Sequence, residues 1–276
     1  MKVISKYRFF NKYNVVSFTS MLLILWISWA FASYFIEIIT MDYYAEDLAI
    51  STKEEADSAK YQFIIGILTW ERYIDSAMRY TVYIFPLFSL ITVLPFCDEL
   101  NGYYSYPARF KNYGKNLAYG IISHSFIGGL VISAVFSVFF SVGAVFMVPQ
   151  IQNIGGFASV FPDGFYHRHP YLFFIFMSFT IYFAIGFVFS LLGCSIALIT
   201  RKKHYVIIVP MLLYLGDSYI LGGILGLYKY QIFGCVCAFN TVYSTFENFI
   251  PLLPFFIISI FIILIYIFKQ RNAVKW

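Results

Sequence analysis

The chain has 276 residues, of which 61% are hydrophobic, 22% aromatic and only 12% charged, and its mean hydropathy is +0.75. Those values exclude an ordinary soluble domain, where roughly a quarter of residues are charged. The net charge of +5 would suit a nucleic-acid partner only if it were clustered. It is instead parcelled out between apolar runs, so no nucleic-acid partner is expected.

Taken in order, uncharged windows run over 13–36, 80–97, 117–147, 171–200, 206–227 (interrupted by Asp217) and 249–268. Each approaches the ~20 apolar residues that a membrane-crossing helix needs. The reading is an all-α integral membrane protein of six transmembrane helices, forming a single domain over 1–276. Segment 1–14, MKVISKYRFFNKYN, mixes Lys and Arg with Val3, Ile4, Phe9 and Phe10, as expected of a short amphipathic helix at an interface. Ala30 and Ala32 give the following run a signal-like small-residue pattern, but the apolar stretch continues through Ile36, so a retained anchor is expected.

Between the first two windows, segment 40–79 is the largest polar stretch. Its second half places Phe63, Ile67, Trp70, Ile74 and Ala77 at helical spacing, predicting an external helix that leads into the second span. Thirteen of the 19 Lys and Arg then fall in alternate segments: residues 2–12, 109–115, 201–203 and 269–275. The positive-inside rule puts these four on the cytoplasmic side with both termini, which requires an even number of spans.

Few side chains carry chemistry. Cys97, Cys194, Cys235 and Cys237 lack partners at metal-ligand spacing. Asp163, His167 and His169 offer three candidate ligands on an outer loop, and a polar loop is the expected reading. No nucleophile elbow, zinc-protease helix or phosphate loop is present, so neither a catalytic residue nor a bound metal is expected. Asp217 is the one acid inside an apolar window. Gly216, Gly222, Gly223 and Gly226 around it fit a broken segment, with Asp217 near the outer interface in a structural role; as a group in a transport path Asp217 is the candidate, and a carrier could draw besides it only on His124.

The segment CDELNGYYSYPARFKNYGK carries two acids at Asp98 and Glu99, then Gly102, Tyr106-Pro107, Arg109 and Lys115 leading into the next span. This order resembles type-2 ATP-binding-cassette exporter permeases, with a shorter interval between Gly102 and Pro107 than in that family. The resemblance implies that 98–116 is a cytoplasmic coupling loop whose Asp98, Glu99, Gly102, Tyr106, Pro107 and Arg109 contact a separate ATPase. It also implies a re-entrant external region over 222–248, a second permease subunit, and a bacterial plasma-membrane location. ATP and Mg would be bound by the partner ATPase, with no cofactor in this chain. Two other readings stay open: an ion-coupled secondary carrier and a non-transporting membrane assembly partner.

Overall fold

The computed structural model describes residues 8–43, 52–107, 110–147, 160–162, 164–237 and 247–273, the side chains of 271–273 excepted. Every regular element among them is helical. Five helices are long and apolar enough to cross a membrane: Lys12–Ala32, Tyr113–Phe146, Pro170–Thr200, Lys203–Ile224 and Glu247–Gln270. A sixth, counted as the second span, consists of Trp70–Thr81 and Phe85–Asn101 joined at a 74° bend. The chain is therefore an all-α, multi-pass membrane protein.

The second span departs most from expectation. A Thr52–Glu55 capping box opens the helix Lys53–Ile67, and the chain then breaks at Leu68-Thr69 before Trp70–Thr81 begins. The latter was expected outside the bundle. Its Trp70, Tyr73, Ile74 and Ala77 are instead buried against Trp29 and Phe139 of the first and third spans. One face of this helix is aromatic and apolar, while Glu71, Arg72, Asp75 and Arg79 occupy the other, so it enters the core without burying its charges. Tyr73 stacks on Phe139 with centroids 4.2 Å apart, and Trp26 meets both rings edge to face at 5.7 Å. Such pairs contribute about 0.5–1.5 kcal/mol each beyond area burial.

A further interruption lies between Phe85–Ile91 and Leu94–Asn101. Pro95 has no N–H to offer the turn before it. The N–H groups of Thr92 and Val93 turn to the Leu90 carbonyl, leaving the Phe88 and Ser89 carbonyls to side-chain donors. Ser17 donates to Phe88 O at 2.6 Å; Thr92 and Ser190 donate to Ser89 O at 2.6 and 3.1 Å. A backbone break is tolerable in an apolar bundle when neighbouring hydroxyls satisfy the freed carbonyls in this way.

Third and fourth spans form the central contact, made close by small residues. A Cβ built on Gly186 would stand 2.9 Å from Ile132 Cγ1 and 3.1 Å from Gly129 Cα, and one on Gly128 would stand 1.9 Å from Ser190 Oγ. The fourth span contains a π turn at Ser178–Tyr182, which sets Tyr182 face to face with Phe136 at 3.6 Å. Fourth and fifth spans are joined through Arg201 and Lys202 alone. That tight link puts Arg201 in the left-handed region at φ 53°, a conformation costing about 1–2 kcal/mol for a residue with a Cβ.

The basic segments converge at one end of the bundle. Arg8 meets Glu99, Asn101 Nδ2 donates to the Arg201 carbonyl at 3.2 Å, and Arg201 Nη2 donates to Tyr266 Oη at 3.3 Å. Gly114 lies against Ile267. At the opposite end Tyr166 donates to Glu71 and Lys229 pairs with Glu247 at 2.7 Å.

Close packing at Gly186 generates a paired prediction. Gly186→Val should destabilise the bundle by about 1–3 kcal/mol, the usual range for overpacking. Gly216→Ala, a helical position with nothing within 4 Å of the added carbon, should be neutral or stabilising by up to about 1 kcal/mol. Thermal unfolding in detergent reads both, and equal effects would contradict the packing described.

Candidate functional site

The chemistry-bearing side chains gather where the basic segments meet. Asn11 caps the first span by accepting from Asn14 N at 3.0 Å. Asn14 Nδ2 donates back to the Arg8 and Phe9 carbonyls at 2.9 and 2.8 Å. These bonds fold the segment before the first span under the bundle and aim the Arg8 guanidinium at the end of the second span. Residues 1–7, the first half of the expected interfacial segment 1–14, lie outside the described residues; Phe9 and Phe10 are exposed.

Arg8 grips Glu99 with two parallel bonds, Nε to Oε1 at 2.8 Å and Nη2 to Oε2 at 2.6 Å. This fork-to-fork geometry combines strength with orientation. From the third span, His124 Nε2 donates to Glu99 Oε1 at 3.1 Å, so the carboxylate fixes the tautomer and leaves His124 Nδ1 buried with no protein partner. The Arg8 side chain is 6% exposed, His124 0% and Glu99 20%. Burial works against the guanidinium charge, yet hydrogen bonding and attraction from Glu99 hold the Arg8 pKa above its ordinary value. Tyr104 closes the site: it faces Arg8, donates to the Asn116 carbonyl at 3.0 Å, and burial raises its phenol pKa.

The neighbouring carboxylate behaves differently. Asp98 accepts from Lys203 Nζ at 2.8 Å, with side chains 58% and 42% exposed, and the same ammonium donates to Tyr13 Oη at 3.2 Å. Solvent screening limits such a pair to about 0–1 kcal/mol. Adjacent acids on one helix thus have unequal roles, because a helix turns roughly 100° per residue and carries Glu99 inward when Asp98 faces out.

The expected coupling-loop contacts separate accordingly. Glu99, expected to face an ATPase, is committed inside the chain. Asp98, Gly102 and Tyr106 are exposed and Pro107 is half-buried; Arg109 lies outside the described residues. Among the described residues, a 3-10 turn, Tyr103–Ser105, follows Gly102. Of the four loop tyrosines, Tyr103 and Tyr106 face outward, whereas Tyr104 is buried and Tyr113 Oη donates to the Tyr104 carbonyl at 3.3 Å. Tyr104 stacks against Phe110, so the loop has a small aromatic core of its own.

Asp217 ends the α-helical part of the fifth span, before a π segment, Ser218–Ile224. Its Oδ2 accepts from Ile232 N at 3.0 Å, pinning the short buried helix Ile232–Val236, which packs with Tyr182 and Leu252. This bond gives the acid a structural task and folds part of the 222–248 region back against the bundle; residues 238–246 are outside the described set. All four cysteines are free thiols. Asp163 is not among the described residues, and His167 and His169 are exposed. Among the described residues no group of three His, Cys, Asp or Glu could hold a metal.

Sequence reasoning undervalued Arg8 and His124. Arg8 counts toward topology in any charge tally, and only the Asn11/Asn14 turn reveals that it folds inward. His124 had a signal, since an ionisable side chain within an apolar window needs a partner.

Comparison with known proteins adds no relative: no family model, curated protein or solved structure matches this chain.

The Arg8–Glu99 pair generates a thermodynamic prediction. Glu99→Leu strands a buried guanidinium and should cost about 3–5 kcal/mol, whereas the double variant Arg8→Met/Glu99→Leu should recover most of that loss. Lys203→Ala should cost less than about 1 kcal/mol. Equal losses in the single and double Glu99 variants, measured by thermal unfolding, would show that the carboxylate does not serve the guanidinium.

Proposed function

We propose that the chain is a membrane permease subunit of a type-2 ATP-binding-cassette exporter, paired with a second permease and driven by a separate cytoplasmic ATPase. The observation that carries this reading is the mechanical continuity of the loop after the second span. Its exposed Tyr103 and Tyr106 and half-buried Pro107 sit on a segment tied through Glu99 to the first-span approach and the third span, through Asp98 to the fifth, and through Asn101 to the fourth–fifth link. A push on such a loop reaches four spans at once, which is what coupling to an external motor requires.

Charge supports the sidedness. With the basic segments together, the positive-inside rule sets that end, both termini included, in the cytoplasm, and the bacterial plasma membrane is the natural setting for this family. ATP and Mg belong to the partner, whose contact surface comprises Asp98, Gly102, Tyr106, Pro107 and Arg109, with Glu99 acting from behind it. A hydrophobic molecule or a peptide fits as cargo, moved outward along the interface of the permease pair. The buried Glu99–His124 contact favours one second reading, an ion-coupled carrier. It lies at the basic end of the bundle and is tied to Arg8, unlike the midplane sites of carriers.

Sidedness has a direct check. Single cysteines at Lys53 and Lys202 should react with an impermeant maleimide from opposite faces of intact cells, and labelling of both from outside would overturn the orientation.

A second experiment addresses the motor. Gentle purification from native membranes should retain a chain with a phosphate-loop ATPase, and Tyr106→Ala should cut retention about tenfold, equivalent to about 1.4 kcal/mol. Substrate flux that follows an ion gradient, with no ATPase retained, would replace the exporter by the carrier.

A further inference from the structure

The last piece of the second span, Leu94–Asn101, is fastened very differently at its two ends. At the Thr92-Val93 end the backbone ladder is broken, Pro95 prevents its repair, and the freed carbonyls are held by hydroxyls of Ser17, Thr92 and Ser190. Hydroxyl donors can swing and re-form such bonds as the carbonyls move. The surrounding spans present little bulk here. A Cβ on Gly193 would stand 2.9 Å from Leu90 Cδ2 and 3.5 Å from Val93, and one on Gly128 would stand 2.9 Å from Thr92 Oγ1. Side chains in those places would wedge the break shut, so small residues on two different spans leave it free to bend.

At the other end the same piece packs Phe96, Cys97 and Leu100 into an apolar cluster with Leu117, Leu191 and Cys194, and its polar ties to the other spans run through side chains. Asp98–Lys203 and Asn101–Arg201 are exposed and individually weak, and the buried grip is on Glu99, from Arg8 on one side and His124 on the other.

We propose that Leu94–Asn101 is a hinged lever, with its pivot at Thr92–Pro95, and that Arg8 and His124 form a releasable latch on Glu99. His124 is a positioning residue in this device: its Nε2–H fixes Oε1 so that both carboxylate oxygens lie in the plane that the Arg8 fork needs. Release exchanges one set of Glu99 partners for water at the basic end and lets the Tyr103–Pro107 turn move relative to the third and fourth spans. The proposal rests on the exporter reading only for what would push the lever.

Spin labels at Tyr103→Cys and Ile199→Cys test it, since both positions are exposed and they report the lever against the fixed end of the fourth span. Distances are measured on the purified chain alone in lipid nanodiscs. Wild type should give one narrow distribution. Glu99→Gln and His124→Leu should each add a second population displaced by roughly 3 Å or more, two residues of helical rise. His124→Gln, whose amide can still donate to Glu99, should restore the single population. So should a short bifunctional cross-link between Asp98→Cys and Lys203→Cys in the Glu99→Gln background. His124→Leu keeps the Arg8–Glu99 pair, so it remains informative if Glu99→Gln fails to fold. A single wild-type distribution in folded His124→Leu overturns the latch, and so does a second population that the cross-link leaves in place, because the whole bundle would then be loosened. No ATPase takes part, so failure here leaves the exporter reading standing, and loss of ATPase retention leaves the lever standing.

Discussion

A buried ion pair between Arg8 and Glu99 organises the basic end of this bundle. Removing two charges from water carries a penalty of several kcal/mol per ion, offset only by near-ideal geometry and by hydrogen bonds to the remaining lone pairs. Both conditions are met: two bonds of 2.8 and 2.6 Å and a third from His124. The geometry demands much of the chain around it. The Asn11/Asn14 cap must bend the first-span approach under the bundle, the Leu94–Asn101 helix must turn Glu99 inward, and the third span must carry its histidine about three turns in from its start at Tyr113.

The bundle between the two ends has a different economy. No hydrophobic driving force separates helix from lipid, so close packing, aromatic contacts and interhelical hydrogen bonds decide the arrangement. Glycines draw the third and fourth spans together at Gly129 and Gly186, and stacked rings fill the space around Tyr73, Phe139, Phe136 and Tyr182. Hydroxyl side chains take over where the backbone fails. The result is a bundle rigid along its third and fourth spans and segmented along its second, with the segmented element carrying the exposed loop.

How far this was legible in the sequence depended on the kind of signal. Spans over 113–146 and 170–200 declare themselves, because about thirty uncharged and mostly apolar residues in a row have one physical solution. Helix Trp70–Thr81 did not: its charges at Glu71, Arg72, Asp75 and Arg79 pointed to an external element, and only three-dimensional packing shows that its other face is a core surface. Charge patterning grouped the basic segments correctly at one end of the bundle without revealing which charge turns inward. The direction of Glu99 depends on helical phase, and the phase follows from the interruption at Thr92-Val93, which Pro95 hints at but does not locate. Asp217 was legible as lying beside a broken segment, though its acceptor bond from Ile232 joins residues across a turn that no periodicity predicts.

On the exporter reading proposed above, the unequal fates of Asp98 and Glu99 would let one loop serve as both a docking surface and a transmission element. If both acids faced outward, the loop would hold a partner but would be tied to the bundle only by exposed contacts that solvent weakens. If both faced inward, the basic end would be rigid and featureless. One residue of offset along a helix divides the tasks: Asp98 stays with Lys203 at the water boundary, where its bond is cheap to break, and Glu99 binds the bundle where the bond is costly to break. Tyr103 and Tyr104 repeat the division one turn later, one ring exposed and the other closing over Arg8. Force applied at the outward-facing member of each pair is therefore delivered through the shared backbone to the inward-facing one, and the stiffness of that delivery is set by how firmly Arg8 and His124 hold a single carboxylate.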